Sequence, residues 1–461
     1  MAPGPVPVAA WLRPLLGTGR VAAGEAVGDD YTHDEALTAQ PERPLAVACP
    51  ETTAEVAAIV RAAAEHGVPV TCRGAGTGLA GGCVPRPDGI VISLERMNRI
   101  LEIDLDNHVA VVQPGVSLEE LDRATAEHGL VYPVFPGENS ASLGGNVATN
   151  AGGMRAVKYG VTRHHVVGLE AVLGTGEIIR TGGKLVKSTS GYDLTQLIIG
   201  SEGTLAVVTE AVLRLYPRLD HASTLLAPFE TLDDIAKAVP KIVAAGIGPR
   251  VVEYIDLVSM AGITANAGLD LGVPEEIKAK ALAYLVVVLE GRLVDRVDED
   301  AQEMAVLLAN LGALDVYVLP PHAGAQLIEA REKAFWTAKA NGADDILDMV
   351  VPRAAIPQYL AGVSEAAAAT GSLVVGCGHA GDGNVHLSVW QQDPVQREAV
   401  IRRIFESGLA LGGAISGEHG IGTEKKHFYE EFEDPAKLAL MRRIKSAFDP
   451  HGVLNPGTMF D

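Results

Sequence analysis

The chain has 461 residues, of which 48% are hydrophobic and 21% charged, the balance of a globular protein long enough for two or three domains with full cores. Its formal net charge of −21 argues against nucleic acid, whose phosphates need a basic surface. The four cysteines, Cys49, Cys72, Cys83 and Cys377, form no CxxC pair, which excludes the usual iron–sulfur and zinc-ribbon spacings; with no disulfide framework, they fit a reducing compartment.

Residues 1–40 are Pro- and Ala-rich, show little pattern, and lack the basic and apolar stretches of a signal peptide. No apolar run approaches the ~20 residues of a membrane helix, so the chain is expected to be cytoplasmic, with peripheral membrane contact left open. A helix is predicted over 52–66, with Thr52 or Thr53 as N-cap, Glu55 in its first turn and Gly67 closing it. A strand at 68–72 enters Arg73-Gly74-Ala75-Gly76-Thr77-Gly78. This is not a dinucleotide fingerprint, because Leu79 breaks the spacing and Gly81-Gly82-Cys83-Val84-Pro85 cannot form the helix that a pyrophosphate needs there. A phosphate nest of loop N–H groups fits better. Strands follow at 90–94 and 109–113, then a helix over 117–128 opened by a Ser117/Glu120 capping box and closed by Gly129.

The segment 136–216 is the most informative. It clusters small residues at Leu143-Gly144-Gly145-Asn146, at Thr149-Asn150-Ala151-Gly152-Gly153 and at Gly200-Ser201-Glu202-Gly203-Thr204. Three such loops between apolar strands predict a backbone cradle for a large, flat, anionic cofactor. The run PGENSASLGGNVATNAGG…KYG…IIGSEGTLAVVTE resembles the FAD-binding domain of the vanillyl-alcohol oxidase superfamily, and within it the glycolate oxidase / D-lactate dehydrogenase / D-2-hydroxyglutarate dehydrogenase branch. The resemblance extends from about Pro41 to the C-terminus. It implies an α+β fold: a vanillyl-alcohol-oxidase-type (PCMH-type) FAD-binding domain over 41–219, an α+β cap domain for substrate over 220–411, and a C-terminal segment, 412–461, completing the flavin and metal site.

By that match the FAD pyrophosphate meets Arg73, Gly74, Ala75, Gly76, Thr77 and Gly78. Pro136, Gly137, Ser142, Gly144, Gly145, Thr149, Asn150, Gly152 and Gly153 line the flavin and its phosphates. Glu202, Gly203 and Val208 approach its adenine side or isoalloxazine edge, and Asn455 returns to it from the C-terminus. Relatives with covalent flavin use a His at or near the first loop; Thr77 stands here, so the FAD is expected to be non-covalent.

Beyond 219, helices at 232–245 and 294–311 alternate with strands such as 284–289, an α+β layer. Arg331 sits on a predicted helix. By residue type alone it is as well read as a surface charge as a carboxylate fork; the resemblance makes it the substrate anchor. Arg353, in Val351-Pro352-Arg353, is a second candidate. In Gly376–Val389, Asp382-Gly383 between apolar runs signals a two-residue hairpin, which would oppose His379 and His386 directly. Glu418 in Ser416-Gly417-Glu418-His419 offers a third ligand, and two His with one carboxylate is the pattern of a catalytic metal with open positions. The resemblance assigns a divalent ion to His379, His386 and Glu418, zinc first with manganese or iron as alternatives, and makes His419 the base.

Three departures from the 2-hydroxyglutarate enzymes bear on substrate. Phe335 replaces their Thr, Ile346 their Lys, and Ser388, retained as a substrate-side candidate, their Asn. A second carboxylate would lie desolvated and unpaired there, so the expected substrate is a D-2-hydroxy monocarboxylate of the D-lactate or glycolate type, oxidised by hydride transfer to flavin N5. Electrons would pass on to a quinone, an electron-transfer protein or oxygen, and a homodimer is allowed. A zinc hydrolase would leave the cofactor loops unexplained. A group-transfer flavoprotein on the same fold, or a flavin subunit of an electron-transfer complex, stays open.

Overall fold

The computed structural model describes residues 7–460. The first forty residues carry more structure than their composition suggests. Val8–Leu16 is a helix whose Leu12 and Leu16, one turn apart, are buried against Val56, Ile59 and Val60. Val21–Ala23 pairs antiparallel with Ala46–Ala48. Pro14 inside the helix and the Gly- and Ala-rich flanks hide the period. The pair extends into a four-stranded sheet in the order 21–23, 46–48, 90–93, 70–73, whose last two junctions are parallel. Helix Thr53–His66 covers it, with the Thr52 hydroxyl accepting from Glu55 N at 3.3 Å and Gly67 closing the helix at φ 64°.

A second sheet is antiparallel throughout, in the order 100–104, 109–112, 206–214, 166–173, 178–182. Helix Leu118–Ala126 packs on it through Leu118 and Leu121, and its reciprocal Ser117/Glu120 capping box is formed. The small-residue segment expected as open loop is instead a short helix, Leu143–Thr149. Ser142 caps it, Leu143 and Val147 bury its inner face, and Gly144 lets it lie directly against Pro114.

The third sheet has eight strands, every junction antiparallel, in the order 317–319, 221–229, 283–291, 251–256, 373–379, 384–390, 345–350, 414–415. Side chains alternate between its faces. One face, with Tyr254, Leu347, Met349, Val385 and Leu387, joins helices 232–244, 294–310, 356–370 and 394–410 in the largest core. The other face, with Ile255, Val286 and Cys377, packs on helices 257–267 and 321–332. Because Glu253, Asp348, His379 and His386 each neighbour a residue of the first face or alternate with one, all four project to the second. The chain returns at its end to the first sheet, where Leu454 bridges Val70. Among the described residues no helix is long and apolar enough to cross a membrane.

Candidate active site

The flavin-side cavity is bounded by three backbone segments. Arg73, Gly74, Ala75, Gly76, Thr77 and Gly78 form one wall; Pro136, Ser142, Gly144, Gly145 and Thr149 form the second; Glu202, Gly203 and Val208 close it, and Glu418 and His419 stand at its inner end. The Ser142 hydroxyl joins two walls, accepting from Gly145 N at 3.3 Å and from Ala75 N at 3.2 Å. A side chain at residue 74 would strike that hydroxyl, which is why glycine stands there. Among the described residues no protein acceptor meets the N–H groups of Gly76, Thr77 or Gly78. Successive amides left unpaired in a cavity wall are the makings of an anion nest, and this donor set fits a pyrophosphate.

Other residues of the expected set lie elsewhere. Gly137 and Gly153 line the adjoining cavity. Asn150 ends the short helix in the left-handed region (φ 54°), and its Oδ1 accepts from Arg163 N at 2.9 Å. Gly152 makes room for Glu418, whose Oε2 would be 2.7 Å from any Cβ there. Asn455 is buried behind the cradle, its Nδ2 donating to the carbonyls of Glu202 at 2.8 Å and Gly82 at 3.1 Å, so the amide holds two loops together instead of lining the cavity. The Glu202 carboxylate accepts from Ile421 N and Gly422 N at 2.8 and 2.7 Å, and burial pushes its pKa up to about 7. Arg73 lines the cavity but spends Nη1 on the His33 carbonyl at 2.6 Å.

The histidine hairpin differs in register from the two-residue turn expected. The loop is four residues, 380–383, so His379 opposes Asn384 and His386 opposes Cys377. Gly383 takes φ 91°, and its amide donates to the His379 carbonyl at 3.1 Å, which closes the wider turn. The two rings are therefore diagonal neighbours on one face and still meet, with centroids 4.8 Å apart. Glu418 Oε1 lies 3.3 Å from His379 Nε2 and 3.2 Å from His386 Nε2. Ligand atoms about 2.0–2.1 Å from a tetrahedral ion stand about 3.3 Å from one another; both Glu418 spacings match, and the three ligand atoms all lie within 4.8 Å of one another, which makes this set a candidate site for a divalent cation. His379 Nδ1 meets Glu253 Oε1 at 2.5 Å, the outer contact that orients metal-binding imidazoles.

Two carboxylates that sequence reading passed over organise this site. Glu253, wholly buried, faces His379 on one side and Arg331 Nη2 on the other, at 2.8 Å, an ion pair without hydrogen-bond alignment. Burial opposes its ionisation, but His379 and Arg331 outweigh burial and hold its pKa below the usual range. Burial likewise works to lower the His379 pKa, and Glu253 and Glu418 overcome it, raising the ring well above its ordinary value. Asp348, also wholly buried, accepts through Oδ2 from the Ser416 hydroxyl, Glu418 N and His419 N, each at 2.8 Å. His419 stacks on His386 with centroids 5.2 Å apart, and burial pushes its pKa down to about 4 against the pull of Asp348. It is thus a neutral imidazole, and its Nδ1 is buried without a partner.

Arg331 is buried near the end of helix Pro321–Glu332, and its Nε and Nη2 make no hydrogen bond. It lines a second cavity of about 420 Å³, which shares Leu79, Pro136, Glu418 and His419 with the flavin-side cavity and also contains His379, His386, Phe335, Ile346 and Ser388. Arg331 is the one Lys or Arg among the described lining residues. Arg353 is exposed on a short 3-10 turn and lines neither cavity, so the second anchor candidate is not placed at the site. Asp348→Ala should strip the acceptor from three donors of the 416–419 loop. At about 1–3 kcal/mol per unsatisfied buried group, it should lower the denaturant midpoint clearly, whereas Asp348→Asn, which keeps an acceptor oxygen, should cost less.

Two family descriptions match the chain: the FAD binding domain over residues 44–182 and the C-terminal domain of FAD linked oxidases over residues 218–459. An uncharacterized FAD-linked oxidoreductase of Mycobacterium tuberculosis H37Rv is 56% identical over 97% of both chains. Glycolate oxidase subunit GlcD of Bacillus subtilis is 39% identical over 93% of this chain and 92% of its own. A crystal structure of p-cresol methylhydroxylase superposes with a TM-score of 0.79 at 19% identity, covering 98% of this chain and 96% of that one, so the fold is of the PCMH type expected. The chain therefore belongs to the FAD-linked oxidoreductase family that includes glycolate oxidase subunit GlcD, D-lactate dehydrogenase and D-2-hydroxyglutarate dehydrogenase.

Proposed function

We propose that this oxidoreductase converts a D-2-hydroxy monocarboxylic acid of the D-lactate or glycolate type into the 2-oxo acid, using non-covalent FAD and one divalent metal, zinc first among the candidates. The observation that carries the reading is the cavity that meets the cradle: one cation, Arg331, stands beside a His/His/Glu cluster and a neutral histidine. When bound, FAD supplies the hydride acceptor and the divalent ion the positive charge that lowers the pKa of the substrate hydroxyl. Arg331, whose Nη2 is ion-paired to Glu253 at 2.8 Å, holds the substrate carboxylate from its place in the cavity lining. His419 takes the hydroxyl proton while the C2 hydrogen leaves as hydride toward the flavin side. Phe335 and Ile346 exclude water and offer a second carboxylate nothing to pair with. The D configuration rests on the family resemblance, and a quinone, an electron-transfer protein or oxygen takes the electrons onward.

Three measurements test this. Acid precipitation should release all flavin into the supernatant, because Thr77 stands where covalent relatives place a His; colour retained on the polypeptide contradicts non-covalent binding. Elemental analysis should find one divalent metal per chain, and His386→Ala should remove it and most activity while leaving the flavin spectrum intact. Full activity after exhaustive chelation would defeat the metal assignment. Under anaerobic conditions D-lactate should bleach the flavin, and Arg331→Ala should lower kcat/KM by roughly two to three orders of magnitude, the equivalent of ~3–5 kcal/mol for breaking a buried charge pair. D-2-hydroxyglutarate as the best substrate would refute the monocarboxylate assignment.

A further inference from the structure

The substrate cavity is far from uniform along its length. Its floor is the hairpin of strands Leu373–His379 and Asn384–Trp390. Alternate residues of each strand face the cavity, and the register pairs them in steps: Cys377 with His386, Val375 with Ser388, Leu373 with Trp390. At ~3.4 Å per residue, the floor runs to Leu373 over about 20 Å from His379 and about 14 Å from His386. The cavity's charged groups and histidines belong to Arg331–Glu332, the His379/His386 end of the hairpin and Glu418–His419, and the remaining polar lining side chains, Ser259, Thr337, Asn341, Ser388 and Trp390, are neutral. The outer half is roofed by Val258 and Ile263 from helix Leu257–Ala267 and by Phe335 from helix Ala334–Ala340. At the mouth, Val258 and Leu373 are 58% and 54% exposed. A three-carbon acid held on Arg331 would occupy only the inner end, whereas a volume of about 420 Å³ lies in the ~300–1,000 Å³ range of pockets that bury drug-sized ligands.

We propose that the outer half of this cavity is a subsite for the side chain of the substrate, and that the preferred class is a D-2-hydroxy acid with an unbranched apolar chain of four or more carbons beyond C2. This rests on the proposed oxidation and deepens it. The carboxylate and hydroxyl stay at Arg331 and the histidine cluster, and the chain lies along Val375 and Leu373 under Ile263 and Phe335. An apolar tail displaces water from the surfaces of Val375, Leu373, Ile263 and Phe335, while Ser259, Asn341 and Trp390 already donate to the carbonyls of Gly376, Thr337 and Asn341, and the open mouth sets no sharp limit on length.

The test is the anaerobic rate of flavin bleaching by the holoenzyme with D-lactate, D-2-hydroxybutanoate, D-2-hydroxyhexanoate and D-2-hydroxyoctanoate. If each methylene is buried, kcat/KM should climb about threefold to fourfold per added CH2. Ile263→Trp, which fills the outer half, should lower the octanoate-to-lactate ratio of kcat/KM by at least tenfold. Binding without turnover gives a second readout: 2-oxooctanoate should perturb the oxidised flavin spectrum at far lower concentration than pyruvate, and Ile263→Trp should narrow that gap. Bleaching by D-lactate with a flat or falling chain-length series overturns the subsite and leaves the proposed function standing. Bleaching by no D-2-hydroxy acid overturns both.

Discussion

The site depends on one constraint: two carboxylates lie within an apolar sheet, and a buried charge must be answered. Glu253 sits in strand 251–256, fourth of the eight, and Asp348 in strand 345–350, the seventh, and both are wholly buried. Their neighbours in sequence, Val252, Tyr254, Leu347 and Met349, fill the large core on the other face. The two are answered differently. Glu253 meets ionisable side chains, Arg331 and His379. Asp348 meets neutral donors, a hydroxyl and two backbone amides. One carboxylate thus lies between Arg331 and a metal-ligand candidate, and the other fixes the backbone that carries Glu418 and His419.

That backbone is the seam of the molecule. Asp348 grips residues 416–419 from the eight-stranded sheet, while Glu202 grips Ile421 and Gly422 from the flavin side. Asn455 ties Glu202 to Gly82, so the last residues of the chain brace the same junction. Glycine at residue 152 lets Glu418 approach from below. The outcome is that Glu418 and His419 border both cavities, so whatever is reduced in one and oxidised in the other meets across a two-residue stretch held from both sides.

Much of this was legible because local chemistry and tertiary structure agree. The Thr52 cap, the Ser117/Glu120 box and the helix spans at 53–66 and 232–244 follow from residue types that satisfy orphan amides wherever they occur. The cradle segments showed through because small residues are needed where backbone must come close. What escaped had physical reasons. Pro14 and alanine concealed the first helix. The hairpin signal at Asp382-Gly383 gave the right face and the wrong turn length, because a four-residue loop moves the register by two and leaves side-chain facing unchanged. Asn455 and Glu202 carry the side chains of cofactor contacts, yet here they bond to backbone, a choice that depends on partners more than 200 residues away. Glu253 and Asp348 left a trace in VVEYI and ILDMV: a lone acid in an apolar strand demands a buried partner, and that demand was the unused signal.

Charge balance links these carboxylates to substrate choice. Arg331 is matched by Glu253, His379 is held well above its ordinary pKa between Glu253 and Glu418, and Glu332 adds a carboxyl to the cavity lining, its pKa pushed up to about 7 by burial. A substrate carboxylate adds another. Among the described lining residues no Lys or Arg other than Arg331 is at hand for an entering carboxylate. A second carboxylate would lie beside Phe335 and Ile346, which have no donors to give it. Desolvation makes an unanswered charge costly, so the same physics that obliges Glu253 and Asp348 to find partners underlies the proposal that the acid entering has one carboxylate and an apolar remainder.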